Sequence, residues 1–251
     1  MLPNTHIGAW DIALLAVVTI QATAISYLHS PKWKAFVWSL PLVFPLAALA
    51  LNRPIDATNV MGLNVLLIYT HGVRILYGRL RIPIVVAILV SAICYCLIGW
   101  RLARILPPTD LAFWLTAGAT FALGAILFAA TSHREEPGHR SPLPVYVKAP
   151  LVACVILLLI AIKNSLHGFM TVFPMVGVVA AYEARKSLWA MSRQVPLLMM
   201  TITPLMATCR LTQHKLGLGP SLLIAWPVFT VILFLLSRRM WAETERDLSN
   251  D

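Results

Sequence analysis

Long apolar runs order this chain. Stretches of about 16 to 24 residues, nearly free of charge, alternate with short links in which Pro, Lys, Arg and Asp gather. A helix rises 1.5 Å per residue and the hydrocarbon core of a bilayer is about 30 Å thick, so a crossing takes roughly 17 to 25 residues. That ruler predicts nine spanning helices, over 9–28, 35–51, 60–77, 83–106, 111–131, 147–162, 166–182, 194–209 and 220–237. The sixth to eighth are short, and broken or re-entrant helices fit there. The first run follows Asp11 with no basic segment before it, so it is read as a span and not as a cleaved signal. SHREEPGHRSPLP, from Ser132 to Pro144, carries three prolines and mixed charge and is read as a loop. The final RRMWAETERDLSND is expected to hang from the last span as a frayed end.

Two stretches repeat a pattern. KAFVWSLPLVFP runs from Lys34 to Pro45 and KNSLHGFMTVFP from Lys163 to Pro174, so lysine and Val-Phe-Pro recur at an offset of 129 residues. The same offset places Arg81 on Arg210. Four spans precede the middle span and four follow it, so equivalent spans are five apart and the second unit is inverted relative to the first. The expected fold is therefore all-α and polytopic, with about nine transmembrane helices in a 4+1+4 inverted repeat. Its parts are 1–107, a first four-helix unit; 108–132, a linking helix; and 133–251, a loop, a second four-helix unit and a short tail. Chance recurrence in a chain rich in Val, Phe and Pro is the competing explanation. Small residues in the linking helix, Gly118 and Gly124 among them, predict close approach by neighbours around much of its surface.

The segment KAPLVACVILLLIAIKNSLHGFMTVFPMVGVVAAYEARKSLWA, Lys148 to Ala190, resembles the small bacterial inner-membrane proteins of the GlpM type. The resemblance rests on a basic start, an Ala- and Val-rich helix, a Lys-Asn turn and Phe-Pro in the next helix. It covers about 45 residues well and the rest of the second half by pattern. It implies a four-span unit and a bacterial inner membrane. The family is linked to glycerol metabolism without an established biochemical activity. In the first half Ala35 follows Lys34 where Asn164 follows Lys163.

Composition agrees with a bilayer as solvent: 59% of the 251 residues are apolar and 12% charged, against about 25% charged in soluble domains. Twenty Lys and Arg against ten Asp and Glu favour anionic surroundings, but the charges flank apolar runs and form no stripe that follows a nucleic-acid backbone. Nucleic acid is excluded as a partner. In the nine-span arrangement one face collects thirteen Lys and Arg and the other six, with Arg74 inside a span. The richer face is expected to be cytoplasmic, which puts the N-terminus outside and the C-terminus inside. Cys94, Cys96, Cys154 and Cys209 lie in or at the end of apolar runs and make neither a disulfide framework nor a metal site. No cofactor is expected.

Candidate chemistry lies in polar residues that hydropathy ought to have kept out of the spans. Ionisable groups there are costly and face a cavity, a partner or the interface. Lys34 and Lys163 stand at the start of proline-bearing segments. Each is either an anion ligand beside a broken helix or a lysine that snorkels to the headgroups. His71 and Arg74 are three apart and share one helix face. Thr201, Thr203 and Thr208 surround Pro204, where hydroxyls can bond the carbonyls a proline leaves unpaired. Asp11 and Gln21, about 80° apart around the first helix, are read as defining no common polar face, with Asp11 interfacial. No HExxH, GxSxG or Gly-rich phosphate loop is present.

The best reading is a small secondary transporter or flippase-like carrier for an anionic small molecule or lipid headgroup. Its expected site comprises Lys34, Phe44, Pro45, His71, Arg74, Lys163, Asn164, Phe173, Pro174 and Arg210. Two alternatives stay open: a non-transporting accessory subunit, and a membrane enzyme acting on a lipid-linked substrate through His71, His167 or His214. A homo-oligomer is compatible with the sequence.

Overall fold

The computed structural model describes residues 8–28, 40–131 and 166–250, with 33, 37, 38, 150, 153 and 157 as isolated positions between them. Lys34, Lys163, Asn164 and the sixth expected span, apart from 150, 153 and 157, fall outside the described residues. Among those described, every regular element is a helix: α1 (Ala9–Tyr27), α2 (Val43–Leu51), α3 (Ala57–Gly78), α4 (Ile84–Ile105), α5 (Asp110–Ala130), a 3₁₀ helix (His167–Val172), α6 (Met175–Glu183), α7 (Leu188–Leu216) and α8 (Leu218–Asn250). Six of them, α1, α3, α4, α5, α7 and the Leu218–Arg238 part of α8, are long and apolar enough to cross a membrane.

Helix ends follow local chemistry. Asp56 caps α3 by accepting from the Thr58 N–H at 2.8 Å, one of the donors a helix start leaves without an intrahelical acceptor. Pro83 stands immediately before α4, and Pro107 and Pro108 close it off. Gly217, at φ 79°, turns α7 into α8 in a conformation that glycine adopts without a Cβ penalty.

α3 sits at the centre, packed against α4, α5, α7 and the 3₁₀ segment. That segment is buried: Phe169, Met170 and Thr171 are each 2% exposed or less. Two glycines make room for it. A Cβ on Gly62 would meet Val172 Cβ at 3.2 Å, and one on Gly99 would meet Phe169 Cγ at 3.2 Å. Tyr95 of α4 donates its hydroxyl to the Phe169 carbonyl at 2.9 Å and stacks edge-on to Phe173, centroids 5.0 Å apart. Buried irregular backbone needs protein or water to satisfy its polar groups, and Tyr95 is one such source.

Several expectations are corrected. The second run is not helical throughout: a turn at residues 40–42 precedes the nine-residue α2. Pro45 does not break that helix, because it sits in the first turn, where its missing N–H has no intrahelical acceptor in any case. The interruption comes four residues earlier, at Pro41. Pro174, by contrast, lies at the junction between the 3₁₀ segment and α6. The eighth run is longer than expected and passes through Pro196 and Pro204 without ending. The tail is no frayed end, since α8 continues to Asn250.

The helix expected to link two units, α5, does not use small residues all round: Phe113, Ala117, Thr120 and Gly124 face the bundle, while Gly118 is exposed. Asp11 and Gln21 do share a buried face, with Leu14, Val18, Ala22 and Ile25. An 80° separation fits within one broad buried stripe. Asp11 itself is buried in the first turn, accepting from the Gly8 N–H at 3.0 Å.

Candidate functional site

Both Val-Phe-Pro segments line one pocket. Its volume is about 60 Å³, and its walls include Val43 and Phe44 from α2, Val172, Phe173 and Pro174 from the 3₁₀–α6 junction, and Gln21 of α1. The convergence follows from the packing, since α2 lies against both α1 and the 3₁₀ segment, and α6 against α1. Pro45 is half-buried in α2 and does not line the pocket.

Gln21 has a definite task there. In a regular helix the Val37 carbonyl accepts from the N–H four residues on, but that residue is Pro41 and has none. The Gln21 Nε2 donates to Val37 O at 2.8 Å and to Leu40 O at 3.2 Å, so a side chain of α1 supplies what the proline withholds. Its Oε1 is buried and has no hydrogen-bond partner among the described residues. The remaining lining is mostly apolar, with Trp38, Pro41, Leu66 and Ile202 among it, and Thr171 as a second polar group. Thr171 is already committed: its hydroxyl donates to Gly168 O at 2.7 Å and accepts from Asn59 Nδ2 at 3.0 Å.

The threonines around Pro204 bond other carbonyls than the one expected. Thr201 donates to Leu197 O and Leu198 O, and Thr208 to Pro204 O, whereas the acceptor that Pro204 frees belongs to Met200. Thr203 Oγ1 has no partner among the described residues.

Arg74 and Arg210, two of the four cations expected to act together, are held apart. Arg210, near the C-terminal end of α7, is 8% exposed. Its Nε and Nη2 donate to Asp110 Oδ1 at 2.9 and 2.7 Å, and its Nη1 to Ile55 O at 2.9 Å. Gln213 grips the same residue from the next turn, accepting from Ile55 N at 2.8 Å and donating to Ile55 O at 3.1 Å. The carboxylate neutralises Arg210, and the group ties α7 to the start of α5 and to the link before α3. His71 and Arg74 sit near the other end of α3, where the Arg74 guanidinium lies 4.6 Å from the centroid of the Trp189 ring.

His167 belongs to the end that holds Arg210. Its Nδ1 accepts from Arg53 Nη1 at 2.7 Å, because a guanidinium can only donate. Beside it, the Gly168 N–H donates to Thr58 Oγ1 at 3.1 Å, and Asn59 Nδ2 reaches Gly168 O at 3.4 Å. These contacts dock the start of the 3₁₀ segment on the capped N-terminus of α3. Cys94, Cys96 and Cys209 are free thiols, and no group of three or more His, Cys, Asp or Glu gathers to hold a metal among the described residues.

Asp110 carried no signal in the sequence, because a charge at a span boundary looks like any interfacial residue and its partner is 100 positions away. Gln21 did carry one, as an uncharged polar group inside an apolar run. These features define an all-helical protein whose apolar helices are compatible with multiple membrane crossings. No family, curated protein or solved structure matches the chain.

Proposed function

We propose that the protein is a small secondary transporter or flippase-like carrier for an anionic small molecule or lipid headgroup, with its site at the pocket between the two Val-Phe-Pro segments. The observation that carries this reading is the meeting of two interrupted helices at one pocket. Discontinuous helices that meet inside the bilayer are how many transporters expose backbone polar groups to cargo.

Element spacing supports an inverted 4+1+4 repeat with nine crossings. α6, α7 and α8 begin at Met175, Leu188 and Leu218, which are 132, 131 and 134 positions after Val43, Ala57 and Ile84, where α2, α3 and α4 begin. These offsets lie close to the 129 of the repeated motif. In the same reading the six-residue 3₁₀ segment, Phe173, Pro174 and the nine-residue α6 together make the seventh crossing. In this reading the membrane is the bacterial inner membrane, and the GlpM-type likeness marks the second unit.

Proteoliposomes loaded with organic phosphates and carboxylates, or doped with fluorescent anionic lipid, test the proposal. Movement of at least one class is expected. Lys34→Gln and Lys163→Gln should each reduce it at least roughly tenfold, about 1.4 kcal/mol, whereas Lys32→Gln should not. A folded, reconstituted chain that moves none of these anions rejects the carrier reading in favour of an accessory subunit.

A further inference from the structure

The side of α4 that does not pack on the bundle is one continuous stripe. Val86, Leu89, Val90, Ile93 and Leu97 are exposed, and their spacing of three and four residues sets them along one face. Ile88, Tyr95 and Gly99, on the opposite face, are buried. Carried on from Leu97, the same spacing reaches Arg101 and Arg104, both exposed. The stripe therefore ends in two cations, at the end of the bundle that holds the Asp110–Arg210 pair.

These arginines are held in place. The guanidinium carbon of Arg101 lies 5.5 Å from the centroid of the Trp100 ring and that of Arg104 3.8 Å from it, so both gather at one aromatic face or edge. Arg104 is in the last turn of α4, yet it reaches back a full turn toward the middle of the helix instead of extending past the helix end. Helical side chains lean that way by geometry, and the ring keeps the charge at its own level. Among the described residues neither guanidinium makes an ion pair or a hydrogen bond, whereas the neighbouring Arg210 has Asp110. The negative pole at the end of α4 favours cations here, but it leaves their N–H donors unused and their mutual repulsion only partly offset.

We propose that this face of α4 binds an anionic phospholipid of the surrounding bilayer, with Arg101 and Arg104 on its phosphate oxygens and an acyl chain along Leu97, Ile93 and Val90. The guanidinium fork matches phosphate oxygens, and tryptophan favours the level of the headgroups. From Ile93 to Arg104 the helix rises roughly 16 Å, about the hydrocarbon of one leaflet. One lipid molecule thus meets the charge and the stripe together, which a soluble phosphate cannot do. The inference goes beyond the carrier reading, since a lipid on the outer side of α4 is no cargo of the pocket lined by Gln21 and Phe173.

Native mass spectrometry of the full-length chain in neutral detergent tests it without any transport step, by comparing retention of phosphatidylglycerol and phosphatidylcholine with identical acyl chains. The parent should retain the anionic lipid preferentially. A cation near an anionic surface is worth about 1 kcal/mol, so Arg101→Gln and Arg104→Gln should each lower retention of phosphatidylglycerol roughly fivefold. The double variant should retain the two lipids equally. Trp100→Leu, which removes the ring and keeps both charges, should also weaken the preference. Lys215→Gln removes another exposed cation at the same end and should leave it unchanged. Inorganic phosphate at matched ionic strength should displace no more phosphatidylglycerol than chloride does. The arginines are exposed, so their replacement leaves the core intact, and melting curves of the variants verify that. Equal retention of both lipids by the parent, or a preference that survives in the double variant, overturns the site. A loss in Lys215→Gln as large as in the arginine variants shows that net charge alone selects the lipid, and displacement specific to phosphate shows that the acyl stripe plays no part. Either result overturns the proposal.

Discussion

At the scale of single residues, His167 shows how tertiary contact assigns a role to a side chain that looked like one of three scattered histidines. Its Nδ1 accepts from Arg53, which requires the neutral ring, and protonation replaces that hydrogen bond with two like charges in contact. Acid therefore opposes this contact. Melting temperatures in detergent should therefore fall from pH 7.5 to pH 5 more in the parent than in His167→Gln. Parallel curves for the two proteins would show that another group controls the slope. Arg210 makes the complementary point. As a cation near a span end it was a candidate anion ligand, but its position is now accounted for by Asp110 and the Ile55 carbonyl.

At the scale of elements, α5 separates what composition suggests from what packing uses. Both of its glycines looked suited to close helix contact, yet only Gly124 makes one. A Cβ there would meet Met199 Cβ at 2.8 Å and the Pro196 carbonyl oxygen at 3.2 Å, whereas one on Gly118 would meet nothing within 4 Å. Gly124→Leu must push α5 away from α7, and overpacking of this kind costs about 1–3 kcal/mol. Gly118→Leu should be neutral or slightly stabilising, because glycine inside a helix is disfavoured by about 1 kcal/mol relative to a good helix former. Thermal melts of the two variants check this. Equal destabilisation by both substitutions would mean that α5 is buried all round, for instance by a second copy of the chain.

The short elements were harder to read than α5. The run at 35–51 has the hydropathy of a spanning helix, and nothing in its composition says that Pro41 interrupts it while Pro45 does not. The difference is a matter of position relative to the helix start, which Gln21 helps to set from another helix by bonding Val37 O and Leu40 O.

At the scale of the whole molecule, the two ends of the bundle differ. One carries the network of Arg53, Asp56, Asp110, His167 and Arg210, and the other Arg74 against the Trp189 ring. The connections at 52–56, 107–109 and 217 share the first end, as α3, α4, α5, α7 and α8 require if each crosses once. The charge count predicts that this end is external and that the end with Arg74 is cytoplasmic. Reporter fusions should place the N-terminus outside and the C-terminus inside. Both termini on one side would contradict an odd number of crossings and the inverted repeat with it.

Sequence alone determined that this chain is helical, with runs long and apolar enough to cross a bilayer, and it placed α1, α3, α4 and α5 to within about three residues at each end. The reason is local: a run of apolar residues long enough to cross hydrocarbon must satisfy its own backbone, and Asp56, Pro83, Pro107 and Thr109 mark the limits within a few positions. It also drew attention to the two Val-Phe-Pro segments, through their recurrence. What they share was decided by tertiary structure, because convergence on Gln21 depends on how α1, α2 and α6 pack, and hydropathy is nearly the same on every face of such helices. The pairing of Arg210 with Asp110, and the separation of both from His71 and Arg74, belong to the same class. Charges at span ends look alike along the chain, and only the register of one helix against another decides which of them meet.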